Sequence, residues 1–144
     1  VTGLAPWQLF GALTYDPKRT RADGRPAWGH TRGPSTESVQ KGIRHWHKAS
    51  EKLVGRMALV AALEAHKTGW PHVHPLVAFN HELEPGEIAA IGQVWYKMNG
   101  FARLEVPRSR DAVAAYASKY VTKELERGDV VLLGPLGAME RRLR

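Results

Sequence analysis

Residues 56–79 hold two apolar runs, "RMALVAALEAH" and "WPHVHPLVAF", separated only by Lys67-Thr68-Gly69. Apolar runs of this length bounded by turn residues read as strands. A three-residue connection ending in Gly is a common hairpin loop, with the Gly in the left-handed conformation. The chain therefore commits to an antiparallel hairpin near its middle, and the rest of the fold must be built around it. The implied register pairs His66 with Trp70 and Glu64 with His72.

Helical patterns flank the hairpin. "STESVQKGIRHWHKASEKL" predicts a helix from about Ser35 to Leu53, capped by Ser or Thr, with Val39, Ile43, Trp46 and Leu53 on its apolar side. Gly55 ends it. "EPGEIAAIGQVWYKMNG" predicts a helix from about Pro85 to Met98, stopped at Asn99-Gly100. "SRDAVAAYASKYVTKELERG" predicts one continuous helix, opened by Ser109 and closed by Gly128. "WQLFGALTY" reads as a buried strand stopped at Asp16-Pro17, while "FARLEVP" and "VVLL" supply shorter strands. This order defines an α+β fold: a central antiparallel sheet of about five strands with helices packed on it, related to the ferredoxin-like split unit. The 144 residues suit a single domain, 1–144. Because the chain begins at Val1, a processed protein or a domain excised from a longer one is expected.

The absence of cysteine excludes disulfides, cysteine zinc sites and thiol nucleophiles, so any metal must be held by His, Asp or Glu. No apolar stretch of about 18 residues indicates a membrane span, and no leader pattern is seen; a cytoplasmic location is the expectation. The net charge of +7 favours an acidic partner, with nucleic acid the usual candidate. The loop "DPKRTRADGRPAWGHTRGP" places Lys18, Arg19, Arg21, Arg25 and Arg32 where they could meet phosphates, or simply solvent.

Within a strand, residues i and i+2 share a face, so His72 and His74 project together. A lone pair of this kind also has an ordinary structural reading. The hairpin register adds Glu64 to the same face, and a lone buried carboxylate is costly unless paired or metal-bound. Two imidazoles and one carboxylate leave coordination positions open, as a catalytic metal requires. His66 shares the parity of Glu64 and is a substitute ligand; a one-residue slip would send Glu64 to the other face. Pro75 removes a backbone donor beside His74, which predicts an edge or bulged strand. His45 and His47 lie in a helical stretch, about 200° apart on the helix, and read as surface or phosphate-contacting residues.

Tyr116 and Tyr120 are spaced i, i+4 on the last helix, with Lys119 beside them and Lys123 a further turn along. Core packing is the common role of such a pair. Tyrosine, with an ordinary pKa near 10, needs help as a nucleophile, which a metal or a neighbouring lysine can give. Two tyrosines, two lysines and a metal site make a coherent set for attack on a phosphodiester, with Tyr116 slightly favoured as the first nucleophile.

At these residues the chain resembles the nuclease domain of the HUH endonucleases, and among them the two-tyrosine rolling-circle replication initiators. "LFGALTYDP" is similar to their first motif, "PHVHPLVAF" with Glu64 upstream to their second, and "YASKYVTK" to their third. The tyrosines follow the histidines, as in initiators and single-strand transposases rather than conjugative relaxases. The resemblance implies a ferredoxin-like or RRM-like nuclease fold. It also implies that Glu64, His72 and His74 hold Mg²⁺ or Mn²⁺ and that a tyrosine nicks single-stranded DNA at a replication origin, which could be presented as a hairpin. A 5′-phosphotyrosine link and a free 3′-OH would result. A phage or plasmid in a bacterial or archaeal host is implied as the source, with host helicase and polymerase as partners. A transposase of the same superfamily and a non-catalytic single-strand binder are the alternative readings.

Overall fold

The hairpin forms the heart of a five-stranded antiparallel sheet. A computed structural model describes residues 7–28, 33–65, 70–123 and 129–134. Its strands are β1 (Leu9–Leu13), β2 (Met57–Ala65), β3 (Pro71–Phe79), β4 (Ala102–Glu105) and β5 (Val130–Leu133). Its α-helices are α1 (Thr36–Leu53), α2 (Pro85–Met98) and α3 (Arg110–Tyr116), and a π-helical segment, Ala117–Thr122, continues α3. The strands lie in the order β4-β1-β3-β2-β5. The expected α+β sheet with packed helices is present, and its first four strands follow the split-unit pattern. Residues 66–69 and Arg32 lie outside the described residues, as do the expected left-handed turn at Gly69, the His66–Trp70 pairing and the helix stop at Gly128.

Both faces of the sheet are covered, which explains why β2 and β3 read as nearly unbroken apolar runs rather than alternating ones. Leu59, Ala61, Leu63, Val73 and Val77 face one cluster, shared with Val39, Ile43 and Trp46 of α1 and with Ile91 and Trp95 of α2. Ala58, Val60, Ala62, Leu76 and Ala78 face the other, shared with Val113 of α3 and Val121. Trp46 and Trp95 are fully buried and meet edge to face, with centroids 6.0 Å apart. Their indole N–H groups donate to the carbonyls of Ile91 and Thr14, at 2.7 and 2.9 Å. Large buried aromatics of this kind satisfy their one polar atom in place.

Helix ends follow local chemistry. The Ser35 hydroxyl accepts from the Ser38 N–H and starts α1, and the Ser109 hydroxyl accepts from the Ala112 N–H and starts α3. Pro85 stands at the first position of α2, where its missing donor costs nothing. Two expectations for α1 change. Leu53 is 61% exposed, and Ser50, one turn beyond Trp46, takes the buried position instead. His47 is not a surface residue: its ring nitrogen lies 2.7 Å from the Met57 carbonyl, tying α1 to the start of β2. The single long helix expected from Ser109 onwards is also interrupted, because the π-helical segment begins directly after Tyr116.

Candidate metal centre and tyrosine pair

The hairpin register is the one expected from the turn. Glu64 pairs with His72, Ala62 with His74 and Ala61 with Pro75. Glu64, His72 and His74 therefore share the sheet face that carries α3. One ligand atom from each lies within 4.8 Å of the others, so this group could hold a metal ion. Glu64 Oε1 and His74 Nε2 are 3.2 Å apart. That contact needs a proton between carboxylate and imidazole, and a metal would take the proton's place. His74 is 6% exposed and Glu64 is half-buried. The donor set of two imidazoles and one carboxylate suits a divalent cation with open positions.

The tyrosines stand over this cluster in different ways. The Tyr120 ring stacks on the His74 imidazole, with centroids 3.7 Å apart and planes 16° from parallel. Lys119 Nζ lies 5.0 Å from the Tyr120 ring centroid. Tyr116 packs against Phe10 and Tyr120, at 4.9 and 5.1 Å between centroids. Its hydroxyl donates to the Gly11 carbonyl at 2.6 Å. Burial, with the neighbouring Tyr120 adding to it, pushes the Tyr116 phenol well above its ordinary pKa. Lys123 is exposed at the end of the π-helical segment. The two tyrosines, Phe10, His74, Arg103 and Glu105 line a cavity of about 230 Å³. Arg103 and Glu105 come from β4 and pair at 3.2 Å. Their alternation with the core-facing Ala102 and Leu104 was the only sequence signal for them.

Pro75 sits in a central strand, contrary to the expectation of an edge. Thr14 and Phe101 exchange backbone hydrogen bonds, so the even residues of β1 bond towards β4 and the odd ones, Gly11 among them, turn towards β3. The β1–β3 ladder pairs Leu9 with Val77, Phe10 with Leu76 and Leu13 with Val73, and it lapses between. The lapse places Gly11 opposite Pro75. The missing donor thus falls on the β1 side, while the β2 ladder stays continuous. The Gly11 carbonyl takes the Tyr116 hydroxyl instead of a backbone donor. An unpaired carbonyl inside the sheet would cost about 1–3 kcal/mol.

Gly11 has no room for a side chain. Its φ is 155°, and an added Cβ would lie 1.7 Å from the Arg103 carbonyl oxygen. Gly11→Ala is expected to destabilise the fold by roughly 3 kcal/mol, read as a lower midpoint in urea unfolding.

The basic loop is more ordered than its sequence suggests. A Thr20–Pro26 bridge closes a small turn, and the Trp28 indole donates to the Asp16 carbonyl at 3.0 Å. Arg19 donates to the carbonyls of Tyr96 and Lys97 at the end of α2, a favourable place for a cation. Lys18, Arg21 and Arg25 are exposed, and Arg25 lies near Asp23.

An antiparallel α+β sheet that brings a metal-capable cluster against two tyrosines defines the kind of protein. A family model for replication-associated proteins of the ORF2 type matches residues 8–125, and the chain belongs to that family. No curated protein and no solved structure matches the chain. Among the described residues, no helix is long and apolar enough to cross a membrane.

Proposed function

We propose that this domain is an HUH-type initiator nuclease of the two-tyrosine kind, which nicks and rejoins single-stranded DNA to start rolling-circle replication of a phage or plasmid. The observation that carries the reading is the stacking of Tyr120 on His74, which sets a phenol against the metal-capable cluster in a chain of a replication-associated family. A tyrosine oxygen attacks the scissile phosphorus, and a P–O bond to tyrosine forms as the bond to the 3′ oxygen breaks. The phenolic proton is released and the 3′ oxygen leaves as a hydroxyl. The reverse attack by a 3′-OH on the phosphotyrosine rejoins the strand.

Glu64, His72 and His74 are the residues that would hold the ion, proposed as Mg²⁺ or Mn²⁺. When bound, such an ion supplies Lewis-acid polarisation of a phosphate oxygen. Lys119, beside the Tyr120 ring, is placed to offset negative charge on the phenolate or phosphate. Lys123, Lys18, Arg19, Arg21, Arg25 and Arg32 are proposed for the flanking strand. The liberated 3′-OH would prime a host polymerase, with a host helicase opening the duplex.

The test is covalent capture of a labelled single-stranded oligonucleotide library. An SDS-resistant adduct is expected with Mg²⁺ or Mn²⁺ and none after chelation. Binding that ignores chelator, with no adduct under any divalent metal, would overturn the proposal in favour of a non-catalytic single-strand binder.

A further inference from the structure

We infer that Pro75 is a positioning residue: by withholding a backbone donor from Gly11 it latches the Tyr116 hydroxyl, and Tyr120 makes the first attack. The inference rests on the nicking reaction proposed above. It starts from the break in the ladder between β1 and β3. Any other residue at position 75 would present an N–H to the Gly11 carbonyl and complete that ladder. Proline leaves the carbonyl open, and the hydroxyl that fills the gap comes from the helix carrying the nucleophiles.

The latch makes the two tyrosines chemically unlike. Tyr116 is held at both ends, its ring by Phe10 and Tyr120 and its hydroxyl by Gly11. To attack, it must break that bond and leave a carbonyl unpaired, and an amide carbonyl is no base for its proton. Tyr120 lies flat on the His74 ring, and among the described residues no hydrogen bond engages its hydroxyl. The change from α- to π-helix falls directly after Tyr116, so the pair does not keep the equivalence of an α-helical i, i+4 spacing. Tyr120 is therefore free for the first strand, while Tyr116 enters only after its latch is broken.

Peptide mapping of the adduct at early times tests the order of attack. In the wild type with Mn²⁺, the label is expected on Tyr120, and Tyr120→Phe is expected to lower early capture at least about tenfold. Pro75→Ala restores the N–H opposite Gly11 and is expected to move at least half of the early label to Tyr116. Early label on Tyr116 in the wild type would overturn the inference, and so would a folded Pro75→Ala variant whose label stays wholly on Tyr120. An NMR experiment reads the latch without chemistry. The Tyr116 hydroxyl proton should exchange slowly in the wild type and rapidly in Pro75→Ala, and rapid exchange in the wild type would refute the latch. A wild type that forms no adduct at all rejects the nicking reaction and the order of attack with it, while the proton exchange still decides the latch.

Discussion

Replacing Tyr116 and Tyr120 together by Phe is expected to lower covalent capture of single-stranded DNA by at least about a thousandfold, because no remaining group at the site can form the phosphotyrosine bond. Non-covalent binding should change far less, since both rings remain and charge dominates the attraction to phosphates. The comparison is made on one labelled oligonucleotide, by denaturing gel for the adduct and by anisotropy for binding. Full capture by the double variant would remove both tyrosines from the chemistry. The same variant reports on the fold. It removes the only side-chain donor given to the Gly11 carbonyl among the described residues, so a loss of about 1–2 kcal/mol of stability is expected from urea unfolding.

The second large effect concerns the metal. Adding Mn²⁺ at about a hundred times its dissociation constant should stabilise the folded chain by about 2.7 kcal/mol. His72→Ala and His74→Ala should each weaken binding at least about a hundredfold and abolish that gain. Glu64→Gln keeps the shape and a hydrogen-bonding oxygen beside His74 but removes the ligand charge, so its effect separates coordination from packing. Titration of Mn²⁺ followed by electron paramagnetic resonance checks all three without any nicking assay. Unchanged affinity in the His74→Ala variant would exclude the cluster as the site.

The parts of this site that could be read in the sequence are those set by neighbours along the chain. A three-residue turn decides which residue of β2 meets which residue of β3, so Glu64, His72 and His74 could be assembled on paper. The bounds of α2 were legible because Pro85 and Asn99-Gly100 mark them chemically. What escaped depends on contacts from far away. Pro75 looked like an edge marker because parity along one strand does not reveal which neighbour the missing donor would face. The answer needed Gly11 from β1 and Tyr116 from α3. The π-helical segment was invisible because an i, i+4 pair of tyrosines fits an α-helix equally well. Arg19 read as a phosphate contact because composition does not show that the end of α2 lies beside the loop. His47 was misplaced for a similar reason, since its partner, the Met57 carbonyl, lies beyond the end of its own helix.

The two halves of the site differ in how far apart along the chain their parts lie. Glu64 and His74 are ten residues apart, whereas the bond that seats Tyr116 joins residues 105 apart. Short hairpins close in microseconds, while contacts of high sequence separation must first overcome the entropy of a long loop. The ligand cluster can thus take shape on a nascent or partly unfolded chain, but the tyrosines reach it only when β1 and the segment after β4 have docked. A chain caught half-folded could hold an ion and still be unable to cut DNA, so completion of the fold itself licenses the chemistry.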